Sequence, residues 1–403
     1  MDRLSPAEQA LTERIDADAM LGQVQRWCAI NSGTSNLAGL AQQAAELADA
    51  FAALPGEVEL VDPAPVEAVD SAGNPVELAH GRHLVLRVRP QAERRFLLTG
   101  HMDTVYPADH PFQQLNWRDA QTLNGPGTAD MKGGLALMLA ALQAFETSEG
   151  AASVGYDVLI NSDEETGSQS SAALIGSLAR GKVAALTYEP SALPDGTLAH
   201  ARGGSGNYTL VVRGRSAHAG RNPEEGRNAI VAAAALTLGL KALESREMPI
   251  NPARIEGGSG NNVVPDLALV RFNIRPRSNA IAAAFPGELA RLAAEVSAQH
   301  EVEISIHGGI SRPPKPVDGP AQKLFDLVQR CGAELGQEIG WRPSGGVCDG
   351  NNIAAEGVPV VDTMGARGGA IHSPDEYLIV PSLAERAALS ALVLHRLATG
   401  NAS

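Results

Sequence analysis

Phe96-Leu97-Leu98-Thr99-Gly100-His101-Met102-Asp103-Thr104 is the stretch on which the reading of this chain turns. An apolar run of strand length feeds straight into a His-x-Asp triplet. The same event recurs at Val158-Leu159-Ile160, which leads into Asp163-Glu164-Glu165-Thr166-Gly167. Between them lies Gly125-Pro126-Gly127-Thr128-Ala129-Asp130-Met131-Lys132-Gly133-Gly134. In open α/β sheets, ligands bind beyond the carboxyl ends of the strands. One imidazole and several carboxylates delivered there suit a hydrolytic metal site, because a divalent ion takes N/O ligands and leaves room for water. Singly, an H-x-D is a turn and a D-E-E run a solvated loop. Their joint placement at strand ends argues for chemistry.

Outward from these strands the elements alternate. Helices are expected over residues 6–27, 37–51 and 135–145, the last opened by Gly133-Gly134. Strands are expected over 58–61, 83–88, 154–160 and 183–188, with a helix over 170–178. Alternation of this kind implies a mainly parallel sheet with helices on both faces. After Glu189-Pro190 the texture changes. Alternating Tyr208-Leu210-Val212, an alanine-rich helix over 228–243, a short strand near 254–256, strands over 267–274 and 302–306 and a helix over 280–298 fit a separate small α+β layer. Ser311-Arg312-Pro313-Pro314-Lys315-Pro316 reads as a return linker. A helix over 321–335, a strand over 358–362 and a final helix over 383–397 resume the first pattern. The fold class is therefore α/β, with a smaller α+β domain inserted. The boundaries expected are 1–201 and 313–403 for the catalytic domain and 202–312 for the insert.

The length of 403 residues is consistent with two domains, since single cores stop growing below that size. The balance of 32 Lys+Arg against 46 Asp+Glu, a net −14, argues against nucleic acid or an anionic membrane surface as partner. Cys28, Cys331 and Cys348 form no C-x-x-C pair and are too few for a disulfide framework. The start, Met1-Asp2-Arg3-Leu4-Ser5-Pro6, lacks a signal-peptide core, and no stretch has membrane-spanning length, so a cytoplasmic protein is expected.

Roles can be assigned from the residues alone. His101 is the natural nitrogen ligand, and Asp103, two residues on, can orient its other ring nitrogen. Asp130 sits in a glycine-rich turn where backbone and carboxylate can approach an ion closely. Glu164 and Glu165 are adjacent at a strand end and point in different directions. One can bind metal while the other takes a proton from water and passes it to a leaving amine. Glu189 by itself is compatible with a surface position, and His372 and His218 by themselves are ambiguous. His80, His83, His110, His200, His300, His307 and His395 receive no role. A dinucleotide fingerprint fails because Asp130 stands where the third glycine would be. Lys132 lacks the following Ser/Thr of a P-loop. No G-x-S-x-G elbow is present.

Taken together, His101-Met-Asp103-Thr, Gly125-x-Gly127-x-x-Asp130-x-Lys132-Gly-Gly, Asp163-Glu164-Glu165-x-Gly167, Glu189-Pro190, Gly214-x-x-Ala217-His218-Ala219, Asn262-Val-Val-Pro265 and His372-Ser373 resemble the dizinc peptidases and deacylases. That family includes glutamate carboxypeptidase, aminoacylase, acetylornithine deacetylase and succinyl-diaminopimelate desuccinylase. The resemblance runs from about Asn31 to Pro374, and its wording leans toward the glutamate-carboxypeptidase-like branch. It implies two zinc ions, cobalt or manganese being alternatives, bridged by Asp130. His101 and Glu189 would hold one ion, Glu165 and His372 the other. It further implies Glu164 as base, Asp103 as orienting carboxylate, and His218, Asn262 and Arg275 on the substrate. The insert would be a ferredoxin-like lid through which a homodimer forms. The expected reaction is hydrolysis of an amide in a small peptide or N-acyl amino acid with a free carboxylate, by a metal-bound hydroxide. An acetylornithine-deacetylase-like deacylase and a catalytically silent scaffold are the alternatives. Val347-Cys348-Asp349-Gly350-Asn351-Asn352 departs from the family's wording, which bears on the side-chain pocket of the substrate.

Overall fold

A computed structural model describes residues 4–400. Gly155–Asn161 is buried at all seven positions, as befits a strand covered on both faces. It lies in a six-stranded sheet ordered Glu57–Val61, His83–Val88, Gly155–Asn161, Arg95–His101, Ala184–Thr187, Val360–Val361. Arg95–His101 is parallel to both neighbours, with His101 opposite Asn161 and Thr99 opposite Thr187. Val360–Val361 is parallel to Ala184–Thr187. His83–Val88 runs against both strands beside it. The sheet is thus mainly parallel.

Strand alternation sorts the apolar residues to two faces. Phe96 and Leu98 join Val158, Ile160, Leu135, Leu139 and Leu392 on one side. Leu97 joins Leu159, Ile175, Ala185 and Ile353 on the other. Each of the Phe, Leu, Ile and Val side chains contributes about 1.5–3 kcal/mol on full burial. Helix Gly133–Glu146 packs against helices Ser382–Thr399 and Ala17–Cys28, which explains its nearly unbroken apolar composition. All three cysteines are buried, and none forms a disulfide. Among the described residues no helix is long and apolar enough to cross a membrane.

Residues 6–27, expected as one helix, form two, Pro6–Thr12 and Ala17–Cys28. The Asp16 carboxylate accepts the Ala19 amide at 3.0 Å and starts the second helix. The five-residue step from Ile15 to Met20 breaks the helical repeat at that point.

The chain divides into two compact units. The first contains the six-stranded sheet and runs to Ala64, then Ala79–Ala201, then onward from Val317. The second comprises Pro65–Leu78 and Arg202–Pro316. Its four-stranded antiparallel sheet is ordered Ile250–Gly257, Leu267–Ile274, Ser205–Arg213, Glu303–Arg312. Helices Ala229–Leu243 and Asn279–His300 complete a β-α-β-β-α-β sequence, the ferredoxin-like arrangement. Asn228 and Ser278 cap these helices by accepting amides of their first turns.

Two details differ from the 202–312 boundary. The hairpin Val66–Val69 and Pro75–Leu78 belongs to the second unit, with Val69 against Val211 and Leu269 and its carbonyl accepting from Arg271 at 2.9 Å. Ser311 and Arg312 finish the last strand instead of forming a linker. Lys315 then exchanges backbone hydrogen bonds of 3.0 and 2.9 Å with Arg202, extending the unit to Pro316.

Candidate active site

Three loops of the first unit leave the sheet region side by side. His101 ends its strand, and Glu164 and Glu165 follow Gly155–Asn161 by a short turn. The third loop, which carries Asp130, needs glycine at two places. Gly127 has φ 72°, in the left-handed region, and a Cβ there would also meet Thr104 at 2.9 Å. A Cβ on Gly134 would stand 2.1 Å from the Tyr188 carbonyl oxygen. That close approach lets the helix start beside the strand end that delivers Glu189. The Asp130–Met131 peptide is cis. His372 comes from a later loop, with φ 61°; a non-glycine residue held there costs on the order of 1–3 kcal/mol, a strain typical of functional sites.

The side chains converge. His101 Nε2 lies 3.1 Å from Asp130 Oδ1 and 3.8 Å from Glu189 Oε2. Asp130 Oδ2 lies 3.2 Å from His372 Nε2, which is 3.1 Å from Glu165 Oε2. Ligand atoms of His101, Asp130 and Glu165 fall within 4.8 Å of one another, and so do those of His101, Glu164 and Glu189. Both glutamates of the Glu164-Glu165 pair therefore border the centre, from different sides. His101 Nδ1 faces two acceptors, the Asp103 carbonyl at 3.0 Å and its Oδ1 at 3.3 Å. Its proton is thereby fixed on Nδ1, and Nε2 is directed at Asp130 and Glu189.

Five carboxylates in one largely buried space, those of Asp103, Asp130, Glu164, Glu165 and Glu189, call for positive charge. The two imidazoles answer that demand. Burial works against the His101 imidazolium, but Glu189, Asp103 and Asp130 outweigh it and hold the ring well above its usual range. Hydrogen bonds to Asp130 and Glu165 push His372 up to about 11. Burial opposes ionisation of Asp130, and its bonds to the two histidines win, lowering it. Glu165 is raised by burial and by the Asp130 charge. Such a set of hard N/O donors around a shared carboxylate fits a pair of divalent cations.

Sequence reasoning missed the supports behind these residues. Glu376 is 1% exposed and accepts the amides of Gly127, Ala129 and Asp130. Lys132, also buried, donates to the Trp27 and Ile30 carbonyls at 3.0 and 2.9 Å, capping the end of helix Ala17–Cys28. Asp163 accepts from Ser170 and Ser171, and Asp349 accepts from Asn161 and Ser168 at 2.8 and 2.6 Å. These bonds close the turn that presents Glu164 and Glu165. Lys132 and Asp163 stand inside the quoted stretches, so proximity was available as a signal. Asp349 stands in the quoted stretch from Val347 to Asn352, which pointed to the substrate pocket instead, and Glu376 offered no signal.

His218, Asn262 and Arg275 belong to the second unit. There His218 and Asn262 come together: residues 218 and 263 pair as antiparallel backbone, and the Ala219 amide donates to the Asn262 carbonyl at 2.9 Å. His218 Nδ1 accepts the Gly220 amide at 3.1 Å, which puts its ring proton on Nε2. Arg275 is exposed, and its Nε donates to Asn273 at 2.8 Å.

Residues 97–396 match the model of Peptidase family M20/M25/M40. The chain belongs to that family. Carboxypeptidase G2 of Pseudomonas sp. (strain RS-16) is 28% identical over 333 residues, covering 80% of this chain and 79% of that protein. A succinyl-diaminopimelate desuccinylase of Maricaulis maris (strain MCS10) is 30% identical over 335 residues, 76% of this chain and 82% of the relative. The fold is shared with the M20 metallo-carboxypeptidase Sso-CP2 of Sulfolobus solfataricus, with a TM-score of 0.71 at 16% identity over 94% of this chain and 99% of that one. M20 membership makes the protein a metal-dependent hydrolase of amide bonds, related to both the carboxypeptidase and deacylase branches. The convergence of His101, Asp130 and Glu165 is the M20 chain's candidate metal centre.

Proposed function

We propose that this chain is a two-zinc hydrolase that cleaves the amide bond of a small peptide or N-acyl amino acid bearing a free carboxylate. The observation that carries the reading is Asp130, whose two oxygens face two different histidines at 3.1 and 3.2 Å. A carboxylate so placed would be shared by two ions, with His101 and Glu189 holding one and Glu165 and His372 the other. Zinc is the first expectation for this donor set, cobalt and manganese being compatible with it. The ions, when bound, lower the pKa of water and polarise the scissile carbonyl.

The remaining steps fall to side chains. Glu164 takes a proton from the attacking water and returns it to the leaving amine. Asp103 holds His101 in one tautomer and orientation. His218, with its proton on Nε2, donates to the developing oxyanion, Asn262 assists on the substrate, and Arg275 pairs with the substrate carboxylate. We further propose a homodimer through the second unit, in the cytoplasm. The relatives named a carboxypeptidase and a desuccinylase support peptide and N-acyl substrates alike.

The test is Glu164→Gln in metal-loaded protein, assayed on dipeptides and N-acyl amino acids. Turnover should fall roughly 10²–10⁴-fold while two metal ions per chain are retained. Wild-type protein that hydrolyses no amide in such a panel, or Glu164→Gln protein that loses metal while Glu165→Gln keeps it, would reject the assignment.

A further inference from the structure

Glu376 is a buried carboxylate four residues beyond His372, and every partner of its side chain lies on a distant segment of the chain. Oε1 accepts the amides of Ala129 and Asp130, each at 3.0 Å. Oε2 accepts the Gly127 amide at 3.1 Å and lies 3.0 Å from the Tyr106 hydroxyl. The backbone of the same residue is engaged too: its carbonyl accepts from the Asn124 side chain at 2.6 Å and the Gly125 amide at 3.3 Å. The Tyr106 hydroxyl is also 2.9 Å from the Ser373 carbonyl oxygen, next to His372.

A carboxylate shut away from water is costly unless donors replace its hydration, and here four groups do so. Three of them are amides of the turn that delivers Asp130. Aiming these amides at one point sets the backbone of that turn, and with it the direction of the Asp130 side chain. Both Glu376 oxygens are occupied by donors, so the residue is not itself a candidate ligand.

We infer that Glu376 is a positioning residue for the metal centre, tying the turn of Asp130 to the segment of His372 so that both ligands are held by one side chain. This inference rests on the two-metal reading above. Its consequence is cooperative. Loosening one carboxylate loosens the shared ligand and the second histidine together, so both ions are held less tightly.

The experiment is titration of metal-free protein with Co²⁺, followed by calorimetry and by visible absorption, in wild type, Glu376→Ala, Glu376→Gln and Tyr106→Phe. Circular dichroism and thermal unfolding of each metal-free variant report whether the fold persists. Glu376→Ala should bind Co²⁺ about 10–100-fold more weakly, the range seen when supporting partners of metal ligands are removed. Glu376→Gln keeps one carbonyl oxygen for two of the amides and should fall between Ala and wild type. Tyr106→Phe, losing one donor of four, should weaken binding less than either. A merely structural residue would lower the unfolding temperature and leave the affinity of folded protein unchanged. Wild-type affinity in folded Glu376→Gln therefore overturns the inference, and that variant, being isosteric, carries the test if Glu376→Ala does not fold. Wild-type protein that takes up no Co²⁺ would overturn the two-metal reading and this inference together; two equivalents in wild type with unchanged variants would overturn this inference alone.

Discussion

Asp103 and Glu164 are joined through the backbone: Asp103 Oδ1 accepts the Glu164 amide at 3.2 Å while standing 3.3 Å from His101 Nδ1. The other oxygen, Oδ2, accepts the Glu165 amide at 3.2 Å and the Thr34 hydroxyl at 2.7 Å. One carboxylate thus orients an imidazole and fixes the start of the turn carrying both glutamates. Asp103→Asn should cost about 10–100-fold in metal affinity or turnover, because its amide hydrogens oppose two of these donors. Metal content and kcat measured together are the check; a variant unchanged in both would remove Asp103 from the site.

Asp130→Ala should lose both metal ions in step, since each would be left with one histidine and one glutamate. Metal analysis after dialysis against a graded chelator series reads this directly. One ion leaving while the other stays at wild-type affinity contradicts a shared carboxylate.

His218 is expected to act on the active site of the neighbouring subunit as an oxyanion donor. Loss of one such donor costs roughly 10²–10³ in turnover. Glu164→Gln and His218→Ala homodimers should each be nearly inactive. Mixing them should regenerate activity, because each heterodimer has one intact site and one doubly damaged site. No recovery after confirmed subunit exchange would assign His218 to its own subunit or to neither.

The thiols offer a control independent of the metal. Burial pushes Cys28 and Cys331 up to about 12, and Cys348 is 3% exposed. Thiolate is the reactive form, so native protein at pH 8 should resist a disulfide-exchange reagent at all three positions and react fully when denatured. Rapid labelling of the native protein would contradict the burial of these residues.

Where residue type, spacing and strand pattern coincide, the chain was readable. The strand endings at His101 and before Asp163, the glycine turn of Asp130, and the β-α-β-β-α-β order of the inserted segment follow from local composition. The misread places share a cause. The helix break at Asp16 is decided by one cap and one five-residue apolar step, set against the helical spacing of Leu11 to Ile15 before it and Met20 to Val24 after it. The Val66–Val69 hairpin lies among Pro63, Pro65 and Pro75, which read locally as coil, and its strands exist because Val69 has Val211 and Leu269 to cover. Glu376 shows the limit most plainly. An Asp-Glu pair after a proline reads as solvated surface, and only the return of a distant turn makes it a buried acceptor of three amides.

The first unit is interrupted, and its metal-facing residues are distributed on both sides of the interruption: Glu189 precedes residues 202–316 and His372 follows them. During synthesis the second unit has all its segments once Pro316 is made, although its Val66–Val69 hairpin and the pairing of Ser205–Arg213 with Glu303–Arg312 span long separations, whereas the first must wait for its last segment. Contacts between residues so far apart along the chain are slow to form, since a long loop must close before they repay it. The edge strand Val360–Val361, which pairs with Ala184–Thr187, is among the final pieces to arrive. Until then the acidic loops have no partner from the late segment and the exposed edge is open to mispairing. On the two-metal reading, acquisition of metal would be a late event in the life of the chain, and one that reports that the whole polypeptide has been gathered in.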